Sequence, residues 1–543
     1  MLTLFRHWFN KIRQIPFLKR QTVAQATILL TVLAVASKPL GMVREFIIAR
    51  YFGATAAKDA FVIANNVPAI FGLLIAAFLN VFLPVFIRIR EQKGEIEAWR
   101  LGSKVFTVLF LLVIASSALM FLLAGPSVSL LAGGLDQERH YLATVLTQYL
   151  TPLIFLSAFL TYFSNLLRSY QHFLLPVMAS FISSFVLFGL VILYAPSMNI
   201  MALVLGSVGS GLFLLLAVGG GVFYGKPYLR LNFHWRDANL AQIVRLAIPL
   251  AIGGSVGLIN LIVDRTIGSY LPIGSISTID YAQKIFAIPL LFISSLTYAL
   301  YPSLSISWAR HEREQFRHSL GQGLVAIWFI ILPSAAGLIS LGKPLISVVL
   351  QTGAFTQGDT AMTATILTYY ALGLFATAGC GILVNSLIVL GNTITPMFIG
   401  FITVGINIGL NILFAFVFGM GAPGLALATT ISDIFYMFAL ILPLKRKTGA
   451  CIFRGLWVSV WKTILAAGMM GGACYFLWLA IEQATYLSSY WLRLGLLLLL
   501  VLFGVGLYGL LSWLFRIPEF ERYLGYVRRI VARFHLHRKE KDS

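Results

Sequence analysis

Charge is scarce in this chain of 543 residues: 11% are Asp, Glu, Lys or Arg, where a soluble domain carries roughly 25%. Acid is scarcer still, with 19 Asp and Glu beside 40 Lys and Arg. So little charge excludes a water-soluble globular protein. Cysteine is almost absent. Cys380, Cys451 and Cys474 lie far apart without metal-ligand spacing, which excludes a disulfide framework and a zinc ribbon. The eight histidines fall in expected loops, tails or span ends, which excludes a His relay inside a membrane. There is no phosphate-binding loop and no metal-ligand His pair. Gly206-Ser207-Val208-Gly209 and Gly219-Gly220-Gly221 read as close-packing positions between helices. No catalytic grouping appears, so an enzyme is not expected, and no cofactor is implied beyond a coupling ion considered below.

What the chain has instead is apolar length, with 59% of residues hydrophobic. A spanning helix needs about 20 predominantly apolar residues, because the hydrocarbon layer is ~30 Å thick and each residue rises ~1.5 Å. The expectation is an all-α integral membrane protein of about fourteen transmembrane helices. The expected spans are 22–50, 57–88, 104–125, 141–167, 174–195, 199–224, 239–270, 277–308, 318–342, 360–390, 394–419, 422–444, 456–481 and 488–515. The stretch ending in Ala34-Val35-Ala36 mimics a signal peptide, but its removal would destroy the first span.

The formal charge of +21 is placed in a way that argues against nucleic acid. With both ends inside, the inner segments hold 31 of the 40 Lys and Arg residues. Arg50, Lys58, Arg139, Lys343 and Arg493 fall outside. This positive-inside bias orients a multi-pass protein of the cytoplasmic membrane with both termini cytoplasmic. The basic tail around Arg528, Arg529, Arg533, Arg538 and Lys539 reads as a solvated or headgroup-binding segment.

The two halves of the chain match. Arg44, Asp59 and Pro68 correspond to Arg265, Asp280 and Pro289, each displaced by 221. Tyr149 and Tyr370 keep that offset, Pro176 and Pro396 differ by 220, and Leu203 and Leu205 align with Leu425 and Leu427 at 222. Two parallel six-helix repeats follow, related by a pseudo-twofold axis along the membrane normal, with a substrate site expected between them. The expected organisation is a basic N-terminus (1–21), an N-lobe (22–225), an amphipathic linker (226–238), a C-lobe (239–446), two additional helices (447–515) and a basic tail (516–543).

Charges within expected spans are Lys38, Arg44 and Glu45 on the first, Asp59 at the start of the second, Asp264 and Arg265 on the seventh, and Asp280 and Lys284 on the eighth. Each costs roughly 2.5–3.5 kcal/mol at a helix centre unless it faces an interior or a wet cavity. Two readings stand side by side. The first is structural ion pairing, which the Asp280–Lys284 spacing favours. The second is a cationic chamber for an anionic, pyrophosphate-like substrate. An oxygen-rich group consists of Asp264, Asn407, Asn411, Thr429, Thr430 and Asp433. It suits a sodium ion, or equally a set of interhelical hydrogen bonds.

Ser37-Lys38-Pro39-Leu40-Gly41-Met42-Val43-Arg44-Glu45, then Phe52-Gly53-Ala54 and Asp59-Ala60-Phe61, resembles the opening signature of the MurJ (MviN) lipid II flippases. Asp264-Arg265 with Ser269, and the stretch from Gly342 through Gln351-Thr352-Gly353-Ala354-Phe355-Thr356, resemble two further family motifs. The resemblance covers nearly the whole chain. It implies a two-lobed fold of the multidrug/oligosaccharidyl-lipid/polysaccharide exporter superfamily, a central cavity for the lipid II headgroup, and a groove for the polyprenyl tail along the last two helices. It implies substrate contacts for Lys38, Arg44, Asp59, Arg265 and Lys284, and sodium ligation by Asp264, Asn407, Asn411 and Thr430. Lys38 and Lys284 stand where the family usually has arginine. The second span lacks a family arginine, reading Phe71-Gly72-Leu73-Leu74-Ile75. The implied function is alternating-access translocation of lipid II by a monomer. The rivals are a flippase for another polyprenyl-pyrophosphate oligosaccharide, and a cation-coupled drug antiporter, which would need an acidic cavity.

Overall fold

The computed structural model describes residues 40–224, 229–233, 237–449, 456–484 and 489–525. Lys38 and the start of the first expected span lie outside the described residues. Every regular element among those described is helical. In chain order they are α1 (40–52), α2 (Ala56–Lys93), α3 (Glu95–Leu122), α4 (Ala124–Leu131), α5 (Gln137–Leu150), α6 (Pro152–Ser169), α7 (Leu174–Met198) and α8 (Met201–Tyr224). There follow α9 (Ala238–Ser269), α10 (Ser275–Ala309), α11 (Arg313–Val349), α12 (Gln357–Val389) and α13 (Ile394–Ile412), which runs into a π-helical turn at Leu413–Val417. The chain continues through α14 (Ala422–Thr448), α15 (Trp457–Ala484), α16 (Tyr490–Leu514) and α17 (518–525).

Among the described residues, twelve helices are long and apolar enough to cross a membrane. The two expected spans outside that number are 22–50, described only from residue 40, and 277–308, which is the 35-residue helix α10. Large apolar side chains point outward in numbers no aqueous surface tolerates. Phe476 is 70% exposed, Leu193 71% and Trp491 76%. Trp457, Trp461, Trp491 and Trp513 stand exposed near the ends of α15 and α16, where indole favours the lipid–water boundary.

The chain divides by packing into two compact units, one of residues 1–277 with 352–356, the other of 278–351 with 357–543. The division falls one helix later than the repeat boundary, because α9 lies along α2 and its C-terminal end is tied to α4. There the Thr266 hydroxyl donates to the Leu130 carbonyl at 3.0 Å, and the Gly134 N–H donates to the Ser269 hydroxyl at 2.9 Å. The core of this unit is aromatic. Phe82 stacks on Tyr162 at 5.3 Å, and the Tyr162 hydroxyl donates to the Gly102 carbonyl at 2.8 Å.

In the second unit Leu324, Trp328 and Ile331 of α11 pack with Leu374 and Leu383 of α12 and Leu440 and Leu444 of α14. A separate apolar cluster fastens α15 and α16 to α11 through Phe329, Met470, Cys474, Leu497 and Tyr508. The Tyr508 hydroxyl donates to the Phe329 carbonyl at 2.7 Å, and the Tyr523 ring of α17 stacks on Phe329 at 5.7 Å.

The repeat is written into the backbone as well as the side chains. Positive φ occurs at Gly53 and Gly274, at Gly94 and His311, at Gln171 and Gly391, and at Asn199 and Gly421. These pairs are displaced by 221, 217, 220 and 222, and three of those offsets are shared with the side-chain matches. Each pair closes corresponding helices of the two repeats.

The family-like stretch 351–356 acquires a physical reason in the first unit. The Ala354 N–H donates to the Arg50 carbonyl at 2.9 Å, so this segment lies directly on the α1–α2 turn. A Cβ on Gly353 (φ +57°) would stand 2.1 Å from the Arg50 carbonyl oxygen. Left-handed backbone alone costs a side chain ~1–2 kcal/mol. Gly353→Ala is therefore expected to lower the unfolding temperature in detergent by more than Gly337→Ala, whose Cβ meets nothing within 4 Å. Equal melting of the two variants would refute the close approach.

The described part of the expected linker is not helical; it is pinned across the start of α3. The Arg230 N–H donates to the Ser103 hydroxyl at 3.2 Å, and the Asn232 N–H to the Thr107 hydroxyl at 2.8 Å. Asp237 then caps α9, accepting from the N–H groups of Asn239 at 2.8 Å and Leu240 at 3.2 Å, and pairs with Lys104 at 2.6 Å. Burial opposes ionisation of Asp237, but Lys104 and the two amides outweigh it and hold the carboxyl below its usual value. The stabilisation is thus fully present above the unfolded value of about 3.9 and fades as pH falls through the lower folded value. Asp237→Ala should cost about 0.5–2 kcal/mol, as for other lost caps, and should flatten the acid limb of a melting-temperature-against-pH curve.

Candidate functional site

Arg44 sits on α1, nine residues before the Gly53 turn, or about 13 Å inward from it. Its side chain is 44% exposed, and the guanidinium bonds the neighbouring Glu45 carboxylate at 3.0 Å through both Nε and a terminal nitrogen. Glu45 is buried. The acid therefore anchors one edge of the fork, and among the described residues several of the five donors stay available for an anion.

Lys284 lies on α10, ten residues past Gly274, about 15 Å along the helix. Its ammonium pairs with Asp280 at 2.8 Å, as the four-residue spacing predicts, and stands 5.8 Å from the Tyr281 ring centre. A third of the Lys284 side chain stays exposed. On the same helix, Gln283 donates to the Tyr370 hydroxyl at 3.0 Å.

The other expected substrate contacts are placed differently. Asp59 is 1% exposed. Its carboxylate accepts from the Gly274 N–H at 2.7 Å, the Ser277 N–H at 2.8 Å and the Ser277 hydroxyl at 2.6 Å. Those two amides are the ones a capping residue normally serves at a helix start, so α2 supplies from outside the cap that α10 lacks. Both Asp59 oxygens are thus engaged by the chain, and the residue positions the start of α10. Arg265 and Asp264 are likewise buried, at 3% and 6% exposure, within the first unit.

The oxygen-rich group partly assembles in the second unit. Asn411 donates to the Asn407 side-chain oxygen at 2.8 Å, and Asn407 reaches the Thr429 hydroxyl at 3.5 Å. Thr430 turns the other way and donates to the Tyr369 carbonyl on α12 at 2.7 Å. On this side of the expected sodium set, Thr429 stands with the asparagines and Thr430 does not. The π-helical turn begins two residues after Asn411. Such turns are frequent at functional sites, and nothing in the sequence pattern announces this one. No cluster of three or more His, Cys, Asp or Glu suited to a metal occurs among the described residues. A cleft of about 510 Å³ between α3 and α9, lined by Val108, Leu240, Val244, Arg245 and Ile248, includes none of the expected site residues.

Comparison with known proteins agrees with this architecture. The sequence matches the family described as "Lipid II flippase MurJ" over residues 48–495. A relative from Vibrio cholerae serotype O1, named as a probable lipid II flippase MurJ, is 28% identical over 484 residues, covering 85% of this chain and 90% of the relative. A solved structure titled "Lipid II flippase MurJ, inward closed conformation" superposes with a TM-score of 0.72 at 24% identity, covering 90% of this chain and 98% of that one. An inward-facing multidrug resistance MATE family transporter of the MOP superfamily superposes at 0.65 with 12% identity, covering 76% and 99% of the two chains. The last two likenesses concern fold.

Proposed function

The chain belongs to the MurJ family of lipid II flippases, and from that membership we propose that it carries lipid II from the inner to the outer leaflet of the bacterial cytoplasmic membrane. It is a multi-pass transporter and not an enzyme. The observation that carries the site assignment is the part-exposed guanidinium of Arg44, one of whose edges is engaged by Glu45 among the described residues. A pyrophosphate offers oxygens for the remaining donors, and charge-assisted bonds of this kind are the strong ones. Lys284, one-third exposed beside Asp280, supplies a second cation for the headgroup. Lys38 is proposed as a third and Arg265 as a fixed contributor to the positive field. The appended helices α15 and α16 are proposed to hold the polyprenyl tail.

Transport is proposed to proceed by alternating access in a monomer with both termini cytoplasmic. Each elementary charge moved through 100 mV is worth about 2.3 kcal/mol. An inside-negative potential would therefore favour outward passage of a diphosphate by roughly 4–5 kcal/mol. Sodium coupling through Asp264, Asn407, Asn411 and Thr430 is kept as a proposal, with Thr429 the better-placed hydroxyl for the two asparagines.

The test is complementation of a bacterium depleted of its own flippase, scoring lipid II exposed on the outer leaflet. Restored exposure and growth are expected. A well-expressed protein that restores neither would reject lipid II as the substrate. Rescue of another polyprenyl-linked glycan pathway in the same strain set would then point to a different headgroup.

A further inference from the structure

One acid of the oxygen-rich group stands outside the proposed sodium set Asp264, Asn407, Asn411 and Thr430: Asp433 bonds Thr377, whereas Asn407 bonds Asn411 and Thr429. Asp433 is the twelfth residue of the 27-residue helix α14, so it lies close to mid-span. A carboxylate at such depth costs roughly 2.5–3.5 kcal/mol unless it is paired or hydrated. Asp433 has no ion-pair partner among the described residues. Its side-chain contact is the Thr377 hydroxyl of α12, 2.5 Å from Oδ2.

That hydroxyl has two acceptors within reach and one hydrogen to give. The Gly373 carbonyl stands 3.3 Å from Thr377 Oγ1 on the side away from the acid. If Asp433 is ionised, Thr377 donates to the carboxylate. If Asp433 is protonated, its O–H donates to Thr377, which passes its own hydrogen to the Gly373 carbonyl. Both protonation states therefore have a complete set of hydrogen bonds, and the hydroxyl has only to rotate between them.

Among the described residues the surroundings hold no competing charge. On α12 the facing titratable group is Cys380, whose thiol lies 3.7 Å from the Asp433 backbone carbonyl. On α14 it is Tyr436, whose hydroxyl donates to the Pro396 carbonyl at 3.1 Å. The segment Ile394–Ile412 of α13 contains no titratable side chain. Those of α11 cluster at its two ends, with Arg313, Glu314, Arg317 and His318 at one and Lys343 at the other. Among the described residues one hydroxyl is in contact, too few oxygens for a sodium ion, and a proton needs no more.

We propose that Asp433 is a proton-binding site of the second lobe, protonated while shielded and ionised when water reaches it during the transport cycle. The step is a simple dissociation, carboxylic acid to carboxylate plus one proton, with no other bond made or broken. It adds one positive charge to whatever the cycle moves. The inference goes beyond the flippase reading and does not need it.

The test is infrared difference spectroscopy of the full-length protein in nanodiscs, titrated with base in potassium buffer and again in sodium buffer. A protonated-carboxyl stretch that disappears on alkalinisation, alike in both buffers, is expected. It should be missing in Asp433→Asn. In Thr377→Val the band should persist and move to higher frequency, as a carboxyl does on losing its hydrogen-bond partner. Should Asp433→Asn fail to fold, the Thr377→Val band shift decides the matter alone. A wild-type protein without such a band, a band unchanged in both variants, or a band abolished by sodium at constant pH would overturn the proposal. Because no lipid II is present, its failure is separate from failure of the flippase assignment.

Discussion

Arg44→Ala is expected to abolish rescue of a flippase-depleted strain while the protein remains in the membrane at its normal level. The side chain is 44% exposed, and among the described residues its partner is the adjacent Glu45. Losing the fork removes charge-assisted bonds worth about 1.5–3 kcal/mol, which weakens headgroup binding by roughly ten- to a hundredfold. Arg44→Lys should rescue partially, because a point charge cannot span two phosphate oxygens as a planar fork does. Glu45→Gln separates the two readings of the pair. If Arg44 serves the substrate, removing the neighbouring negative charge leaves rescue intact or improves headgroup binding. If the pair is structural, Glu45→Gln should be as harmful as Arg44→Ala, and that equality would sink the binding role. Binding of pyrophosphate-bearing lipid to the purified variants, measured beside growth, makes the distinction independent of expression.

Asp59→Ala should instead cost the fold. It strands the amides of Gly274 and Ser277 and the Ser277 hydroxyl in a site that is 1% exposed. An unsatisfied buried donor costs about 1–3 kcal/mol, so a total of about 3–9 kcal/mol is expected for the three, enough to deplete the protein from the membrane. Ser277→Ala removes one of the three bonds and should cost only about 1 kcal/mol. Asp59→Asn should fall between, because its amide nitrogen cannot accept from either backbone N–H. Unfolding followed by tryptophan fluorescence in detergent measures all three. A well-folded, heat-stable Asp59→Ala that has lost only substrate affinity would return this residue to the binding site.

Arg44 and Asp59 differ in a way that residue spacing does not encode. Apolar run length placed the helices, because hydrocarbon thickness leaves little choice. The 221-residue offset located the repeats, since duplicated helices keep their prolines and charges in step. What spacing could not do was tell a part-exposed charge from one that completes a helix start. Asp59 and Arg44 look alike in a list of intramembrane charges, and only the position of Gly274 and Ser277 distinguishes them. Thr429 and Thr430 pose the same difficulty. Adjacent on a helix, they point about 100° apart, and the pattern of the sequence does not say which faces Asn407. The Asp433–Thr377 contact joins residues 56 apart, beyond any local rule. The packing boundary was equally hidden, for it depends on which lobe α9 leans against.

The recurrence of positive φ has a practical side. At three corresponding corners one repeat uses glycine where the other makes do with a side chain: His311 against Gly94, Gln171 against Gly391 and Asn199 against Gly421. A residue with a Cβ pays for that geometry, and glycine does not. The chain therefore carries, in its other half, instructions for its own reinforcement: His311→Gly, Gln171→Gly and Asn199→Gly copy solutions already present. Together they offer a more heat-tolerant protein for biochemical work without touching any residue assigned to transport.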